Sequence, residues 1–274
     1  MNIDPGNFIA GLILSAALGI ISFKTKALDR SGAAGLLVTG IVIFGFGGIE
    51  FAIPLLFFFI SSSILSKIRS PNKDKASGLF DKTGPRDIRQ VVANGGIAVL
   101  ATLVYNSTGF HGYFYIYLAA IAEAAADTWA TEIGTLSKSK PWSITTFKRV
   151  EPGTSGGISV YGTIAALAGS VMTVYSVMVA GTIGNVAINI EGRYLALAWL
   201  CGFAGAIFDS ILGATIQGLF RCPKCGRITE KDTHCGAPTV RFKGLHWINN
   251  DVVNFASTLF AALLIGVIMS TFGP

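Results

Sequence analysis

Eight apolar segments constrain the fold of this chain more than any other feature of its sequence. Only 13% of its 274 residues are charged, against roughly 25% in soluble domains. A run of about 20 apolar residues is long enough to cross the hydrocarbon core of a bilayer as a helix. The pattern predicts an all-α, polytopic membrane helix bundle of about eight transmembrane helices, forming a single domain over residues 1–274. The segments lie near residues 6–23, 31–48, 50–66, 88–106, 112–134, 156–181, 193–220 and 250–272.

The basic residues are confined to alternate loops between these segments. Of the 21 Lys and Arg residues, all except Arg193 lie in the stretches 24–30, 67–89, 138–149 and 221–243. Positively charged loops remain on the cytoplasmic side of a membrane. We therefore expect a protein of the cell membrane, with these loops and the active site facing the cytoplasm and both termini outside.

The net charge of +6 follows from this topology signal rather than from nucleic-acid binding. We expect membrane lipid, and no nucleic acid, as a partner. The sequence leaves open whether the chain forms a homo-oligomer.

Acidic residues occur where apolar segments should exclude them. Segment five contains Glu123, Asp127 and Glu132, segment seven contains Asp209, and Asp251 opens segment eight. A charge near the bilayer centre costs about 2.5–3.5 kcal/mol on insertion scales. No Lys or Arg lies deep enough in the predicted segments to pair with all of these acids, so a bound cation is their expected partner. A buried hydrogen-bonded network and an ion or solute pathway are the alternatives.

Helix geometry places two demands on this arrangement. Asp127 and Glu132 are five residues apart, which is about 140° around a helix. Either the helix opens near Gly134 or the two acids serve different partners. Asp209 is predicted to lie about 17 Å from the inner end of its segment, so it needs a cavity that dips into the membrane.

A glycine-rich stretch, Gly153-Thr154-Ser155-Gly156-Gly157-Ile158-Ser159, follows a basic loop that contains Lys148. A turn of this kind before a helix exposes backbone N–H groups, and the helix dipole adds positive potential. The stretch therefore predicts a phosphate site, although an ordinary turn with a serine N-cap is an alternative.

Further polar residues are spaced along one face of two other helices. Arg86, Gln90 and Asn94 are four residues apart and lead from the loops into segment four. Asn250 and Asn254 share a face at the start of segment eight. Asn250 is also a suitable helix cap, whereas Asn254 lies too far inside the segment to cap it.

The loop at 221–247 contains four soft metal ligands, Cys222, Cys225, His234 and Cys235, within fourteen residues. This spacing predicts a small structural zinc site in a cytoplasmic insert. Because His234 and Cys235 are adjacent, His246 is an alternative ligand. Reduced cysteines or a redox role are the other interpretations.

Several of these blocks, taken in order, resemble the integral-membrane family that contains the phytyl-phosphate kinase of tocopherol synthesis. One small difference is Thr131, where serine is often expected. The resemblance covers most of residues 85–255. Its blocks are Arg86-x-x-x-Gln90-Val91-x-x-Asn94-Gly95, Asp127-Thr128-Trp129-Ala130-Thr131-Glu132, Ile144-Thr145-Thr146, Gly153–Ser159, Asp209–Gln217 and Asn249-Asn250-Asp251-x-Val253-Asn254.

The resemblance implies a kinase that transfers the terminal phosphate of CTP to an isoprenyl monophosphate such as phytyl or geranylgeranyl phosphate. It further implies that Mg²⁺ is held by Asp127, Glu132, Asp209 and Asp251. In the same scheme the glycine-rich stretch and Lys148 hold the triphosphate. The remaining predicted site residues contact the acceptor phosphate or complete the nucleotide site; they are Arg86, Gln90, Asn94, Asn250 and Asn254.

Three other functions use similar parts. A polyprenol kinase phosphorylates an alcohol, and a CTP:lipid-phosphate cytidylyltransferase transfers CMP and releases pyrophosphate. A lipid or solute transporter is the third, and the inverted repeats that characterise many transporters are not visible here.

Overall fold

The computed structural model describes residues 4–80, 84–183 and 190–272. Parts of two predicted loops, 67–89 and 182–192, therefore lie outside the described residues. The helices are α1 (Pro5–Lys24), α2 (Arg30–Gly47), α3 (Ile49–Lys67), α4 (Pro71–Ser77), α5 (Ile88–Thr108), α6 (Gly112–Gly134), α7 (Val160–Tyr175), a 3₁₀ turn (Ser176–Val179), α8 (Ala180–Ile183), α9 (Gly192–Thr215) and α10 (Asn250–Phe272).

Seven helical stretches are long and apolar enough to cross a membrane: α1, α2, α3, α5, the run Val160–Ile183, α9 and α10. The predicted all-helical membrane bundle is thereby confirmed. The remaining predicted segment, segment five, is α6, which has 23 residues but carries Glu123, Asp127 and Glu132. It is not among the seven.

Two predicted boundaries were wrong, each for a local reason. Segment six begins at Val160 rather than at 156, because the Ser159 hydroxyl accepts the N–H of Gly162 at 3.1 Å and so caps α7. Segment seven ends at Thr215 rather than at 220, because the chain turns into a short strand at Leu219–Arg221.

The helix α6 occupies the centre of the bundle. Its residues from Phe114 to Ala126 are all buried except Ile116, and it packs against α3, α5, α7, α9 and α10. Small residues make this possible. A Cβ placed on Gly202 of α9 would lie 2.6 Å from the Cβ of Ala122, and one on Gly162 of α7 would lie 3.0 Å from the carbonyl of Ala130. The glycines therefore serve close helix packing.

The basic loops meet one another at one end of the bundle, which we call the loop face. Arg86 N–H donates to the carbonyl of Ala27 at 3.0 Å, which joins the α1–α2 loop to the start of α5. The side chain of Asn72 donates to the carbonyl of Ser137 at 3.0 Å. The Thr229 hydroxyl donates to the carbonyl of Leu79 at 2.8 Å. All four basic loops thus share this face.

Short strands order two of these loops. In the α6–α7 loop, β1 (Trp142–Ser143) pairs with β2 (Gly157–Ile158). In the α9–α10 loop, a three-stranded sheet has the order β4-β3-β7, and β5 pairs with β6 as a second hairpin. The strands of that loop are β3 (Leu219–Arg221), β4 (Ile228–Thr229), β5 (Thr233–His234), β6 (Ala237–Pro238) and β7 (Val240–Lys243).

Candidate active site

Asp127 lies where the buried core of α6 gives way to the loop face. It is half-buried, and it interacts electrostatically with Arg86 and with Glu132. The predicted stripe on α5 and the predicted acids on α6 therefore converge. A carboxylate beside a guanidinium can position a phosphate or a metal–phosphate complex.

The backbone of Arg86 is fixed by the α1–α2 loop. Its carbonyl accepts the N–H of Asp29 at 3.1 Å, and a Cβ on Gly32 would lie 2.1 Å from that carbonyl oxygen. Burial lowers the pKa of Arg86, whereas the carboxylates of Glu132 and Asp127 raise it. An arginine in this setting stays charged, so the loop delivers a permanent cation to the site.

Glu132 has a partner that the sequence did not reveal. Lys73 of α4 forms an ion pair with it and also donates to the carbonyl of Ile68 at 2.8 Å. The helix α6 continues unbroken to Gly134, so the predicted opening near that glycine does not occur. Asp127 and Glu132 share Arg86 as an electrostatic neighbour, and Glu132 in addition pairs with Lys73. That the two acids serve different partners stays a prediction. A metal-binding role for Glu132 stays a prediction and requires this ion pair to be shared or broken.

Asp209 is buried on α9, with 9% of its surface exposed. The Ser257 hydroxyl of α10 donates to its Oδ2 at 3.1 Å. In the amide orientation that satisfies its neighbours, Asn254 donates to the same oxygen at 3.2 Å. Because α9 ends at Thr215, Asp209 lies about 9 Å from the helix end, which corrects the predicted depth of 17 Å.

Asn254 connects the acids to the stripe on α5. Its amide lies between Asp209 and Asn94, with 3.5 Å between its nitrogen and the Asn94 oxygen in the other orientation. The side chain of Asn94 donates to the carbonyl of Gln90 at 3.0 Å. Thus the helices α5, α9 and α10 contribute polar groups to one cluster.

Glu123 lies one turn deeper than Asp127 and is 1% exposed. Neither of its carboxylate oxygens has a hydrogen-bond partner of normal length among the described residues. It packs against Gly205, where an added Cβ would lie 2.5 Å from its Cγ. Asp209 and Asp127 are its electrostatic neighbours, so it extends the acidic cluster into the core.

The glycine-rich stretch docks on the end of α9. Gly153 and Gly156 have positive φ angles of 87° and 74°, a conformation that favours glycine. A Cβ on Gly156 would lie 2.6 Å from the carbonyl oxygen of Ser210. Because Ser210 follows Asp209 directly, the stretch lies next to the acidic cluster, as the predicted phosphate site requires.

Glu230 from the α9–α10 loop secures this contact. Its Oε1 accepts the Ser155 hydroxyl at 2.7 Å and the side-chain nitrogen of Gln217 at 2.9 Å. Glu230 also interacts electrostatically with Asp209. Ser155 and Gln217 belong to two different blocks of the family resemblance. The carboxylate of Glu230 connects these two blocks through its hydrogen bonds.

Other predicted residues have local partners or lie apart, and their roles stay predictions. Gln90 shares a capping box with Asp87 at the start of α5. Lys148 is exposed, and its carbonyl accepts the N–H of Ser143 at 2.9 Å beside the glycine-rich stretch. At the start of α10, Asn249 accepts the N–H of Val252 at 3.1 Å. Asn250 is exposed and Asp251 lies in the first turn of the same helix.

The four predicted soft ligands lie together in the α9–α10 loop. One ligand atom from each of Cys222, Cys225, His234 and Cys235 lies within 4.8 Å of the others. Burial by itself would raise the pKa of the Cys222 thiol, but hydrogen bonds from the Cys225 backbone, His234 and the Lys224 backbone lower it to about 6. The alternative ligand His246 instead lies 3.6 Å from Asp232.

Sequence reasoning missed three residues of the site: Lys73, Glu230 and Ser257. Lys73 was interpreted only as part of the topology signal, because it is one of many basic residues in its loop. Ser257 is three residues after Asn254 and could have been found by helical spacing. Glu230 carried no signal, since only the folded hairpin brings it to Ser155.

A helix bundle with a charged cluster at its loop face defines an integral membrane protein with a polar site. The chain belongs to the family described as integral membrane protein DUF92, whose profile matches residues 13–262.

Three curated relatives accompany this match. Protein PGR of Arabidopsis thaliana is 34% identical over 280 residues, which cover 94% of this chain and 95% of that protein. An uncharacterized membrane protein of Methanocaldococcus jannaschii is 33% identical over 211 residues, covering 77% and 83%. Protein VTE6, chloroplastic, of Arabidopsis thaliana is 25% identical over 271 residues, covering 96% and 71%. The predicted family resemblance is thereby confirmed. No solved structure matches significantly.

Proposed function

We propose that this protein is a membrane-embedded kinase that transfers the terminal phosphate of CTP to an isoprenyl monophosphate such as phytyl or geranylgeranyl phosphate. The observation that carries the proposal is the juxtaposition of Arg86 with Asp127, next to the buried Asp209. Opposite charges at the end of a membrane bundle suit a phosphate head group whose apolar tail stays in lipid. The family resemblance, with VTE6 among the relatives, supports the choice of donor and acceptor.

The donor set of this cluster fits Mg²⁺. Carboxylates of Asp127 and Asp209 and the amide oxygens of Asn94 and Asn254 are hard ligands of the kind that Mg²⁺ prefers. Glu132 follows Asp127 by five residues and Asp251 precedes Asn254 by three residues. Both belong to the proposed ligand set. Bound Mg²⁺ supplies positive charge against the phosphate oxygens during transfer.

The chain's own residues orient the two substrates. Arg86 donates two parallel hydrogen bonds to the acceptor phosphate, a geometry that guanidinium groups favour. The glycine-rich stretch and Lys148 hold the triphosphate of CTP. A monophosphate acceptor is already an anion near neutral pH, so no strong general base has to remove a proton.

We further propose that the loop face is on the cytoplasmic side of the cell membrane, with both termini outside. Single cysteines introduced at exposed Lys140, on the loop face, and at exposed Ser107, at the other end of α5, test this orientation. In a chain whose four native cysteines are replaced by serine, a membrane-impermeant thiol reagent should label Ser107→Cys in intact cells and Lys140→Cys only after lysis. The reverse pattern would invert the topology. Because one relative is named as chloroplastic, labelling is combined with membrane fractionation.

An assay of the purified protein in lipid nanodiscs tests the function. It combines Mg²⁺ with several nucleoside triphosphates and a panel of isoprenols and isoprenyl phosphates. CDP and an isoprenyl diphosphate are the expected products. Phosphorylation of the alcohol alone would identify a polyprenol kinase, and pyrophosphate release would identify a cytidylyltransferase. Nucleotide-independent flux in liposomes without any product would identify a transporter.

A matched pair of variants ties the activity to the site. Asp127→Asn should reduce turnover by at least about 100-fold, the scale on which a transition-state charge contact acts. The control Glu151→Gln removes an exposed carboxylate that is paired with Lys140 and should leave turnover unchanged. Normal turnover in Asp127→Asn would remove this residue from the site.

A further inference from the structure

A cluster of soft ligands lies in the α9–α10 loop, outside the proposed kinase site. Cys222, Cys225, His234 and Cys235 bring their ligand atoms within 4.8 Å of one another. All four cysteines of the chain are free thiols. None of these four residues belongs to the proposed phosphate or Mg²⁺ site, so the cluster needs a separate explanation.

The spacing of the ligand atoms matches tetrahedral coordination. With Zn–S bonds of about 2.3 Å and Zn–N bonds of about 2.0–2.1 Å, a thiolate sulfur and an imidazole nitrogen on one tetrahedral zinc ion lie about 3.5 Å apart. The Nδ1 atom of His234 is 3.4 Å from the Sγ of Cys225 and 3.2 Å from the Sγ of Cys235. A set of three thiolates and one imidazole is soft, and it favours zinc over the magnesium proposed for the carboxylates.

The backbone explains how four residues reach one point. Gly226 N–H donates to the carbonyl of Cys222 at 2.9 Å, and Gly226 has a φ angle of 72°, so the first two cysteines face each other across a tight turn. Cys235 has a φ angle of 53°. This left-handed conformation turns its side chain beside that of the adjacent His234, which resolves the difficulty of neighbouring ligands.

We propose that these four residues bind one zinc ion, and that the ion holds Glu230 in its position at the glycine-rich stretch. Glu230 lies in the segment between the two pairs of ligands. Its N–H and the hydroxyl of Thr229 both donate to the carbonyl of Leu79, at 3.0 and 2.8 Å. Its carboxylate accepts hydrogen bonds from Ser155 and Gln217.

The loop has little else to stabilise it. Its buried side chains among residues 216–249 are Gln217, Leu219, Phe220, Cys222, Thr229 and Ile248, and segments with so small a core are usually braced by metal or disulfides. Metal binding in such modules is coupled to their folding. Loss of the ion should therefore release the hairpin, and Glu230 with it.

Metal analysis of the purified full-length chain tests the first part of the proposal. Elemental analysis after purification in reductant should give one zinc per chain, and exchange with Co²⁺ should give the visible absorption of a tetrahedral thiolate site. Cys222→Ser and Cys225→Ser should lose the metal. The control Cys201→Ser, which changes a buried thiol on α9 away from the cluster, should keep it. A metal-free protein, or a Co²⁺ spectrum unchanged in the cluster variants, would overturn the site.

Hydrogen exchange tests the link to Glu230. Chelation should increase exchange on the order of tenfold or more at residues 155–157 and 228–230, with α1 and α2 unaffected. Glu230→Gln should keep the zinc but increase exchange only at 155–157. Unchanged exchange at 155–157 after zinc removal would refute the coupling. Both readouts are independent of kinase activity, so they separate this proposal from the proposed function.

Discussion

Lys73 of α4 forms an ion pair with Glu132 near the end of α6, and 15% and 17% of the two side chains are exposed. The contact joins the shortest helix on the loop face to the central helix. Lys73 also donates to the carbonyls of Leu65 and Ile68, at 2.9 and 2.8 Å. A single ammonium group therefore binds the end of α3 to α6.

Replacement of Lys73 by methionine should destabilise the protein. The cost should fall between the 1 kcal/mol or so of an exposed ion pair and the roughly 3 kcal/mol of a buried one, because Glu132 keeps its charge and loses this ion pair, while Arg86 stays an electrostatic neighbour. Lys140→Met removes a pair in which 58% and 68% of the side chains are exposed, and it should change stability little. Thermal unfolding in detergent measures both, and equal shifts would contradict the structural role of Lys73.

Replacement of Arg86 by lysine should weaken acceptor binding selectively. The variant keeps the charge but loses the planar pair of donors. The KM for the isoprenyl phosphate should rise about tenfold or more, whereas the KM for CTP should change less. Arg89→Lys is the matched control, because Arg89 is exposed on the first turn of α5. A larger rise in the KM for CTP would reverse the assignment of Arg86.

Replacement of Gly205 by alanine should disturb the packing of α9 on α6. The new Cβ would lie 2.5 Å from the Cγ of Glu123 and 3.0 Å from the Cβ of Ala261. Overpacking of this kind costs about 1–3 kcal/mol. Gly192→Ala changes the same helix where no atom lies within 4 Å, and it should be neutral or slightly stabilising. Thermal unfolding compares the two variants, and a neutral Gly205→Ala would show that the helices can move apart without cost.

Asp29 should contribute stability in a pH-dependent manner. Hydrogen bonds from the Gly32 N–H and the Ser31 hydroxyl lower its pKa in the folded protein. A lowered carboxyl pKa stabilises the fold above the unfolded value of about 3.9, and this contribution disappears as the pH falls through the folded value.

The corresponding experiment compares two helix caps. Asp29→Ala should lower the unfolding midpoint at pH 7, and the difference from the native protein should shrink below about pH 4. Asp4→Ala is the control. It removes the cap of α1, where Asp4 accepts the Gly6 N–H at 2.8 Å, and this variant should leave the environment of Arg86 unchanged. A difference that grows as the pH falls would contradict the sign of this effect.

The sequence predicted the architecture well because hydrophobic length and charge alternation are both local signals. The start of α7 and the end of α9 were not predicted correctly. They depend on a serine cap and on a short strand, which compete with continuation of the helix. The depth of Asp209 was overestimated for the same reason. Only the folded chain shows where α9 stops.

The candidate site was predicted only in part. Asp127, Asp209, Asn94 and Asn254 were expected and do lie together. Three contacts around them were not predicted, because they join distant segments: Lys73 pairs with Glu132, Ser257 donates to Asp209, and Glu230 accepts from Ser155. Ser155 and Glu230, for example, are separated by 75 residues. No periodicity within one helix reports such a pairing.

The central position of α6 has a consequence for how the protein is made. A helix that carries Glu123 and Asp127 has little affinity for lipid alone, and its neighbours cover its apolar residues in the finished bundle. We expect α6 to leave the translocation machinery only together with the helices that later enclose it. The helix that carries these acids is stable in the membrane only when its neighbouring helices surround it. The acids proposed for the chemistry therefore also determine the order in which the helices assemble.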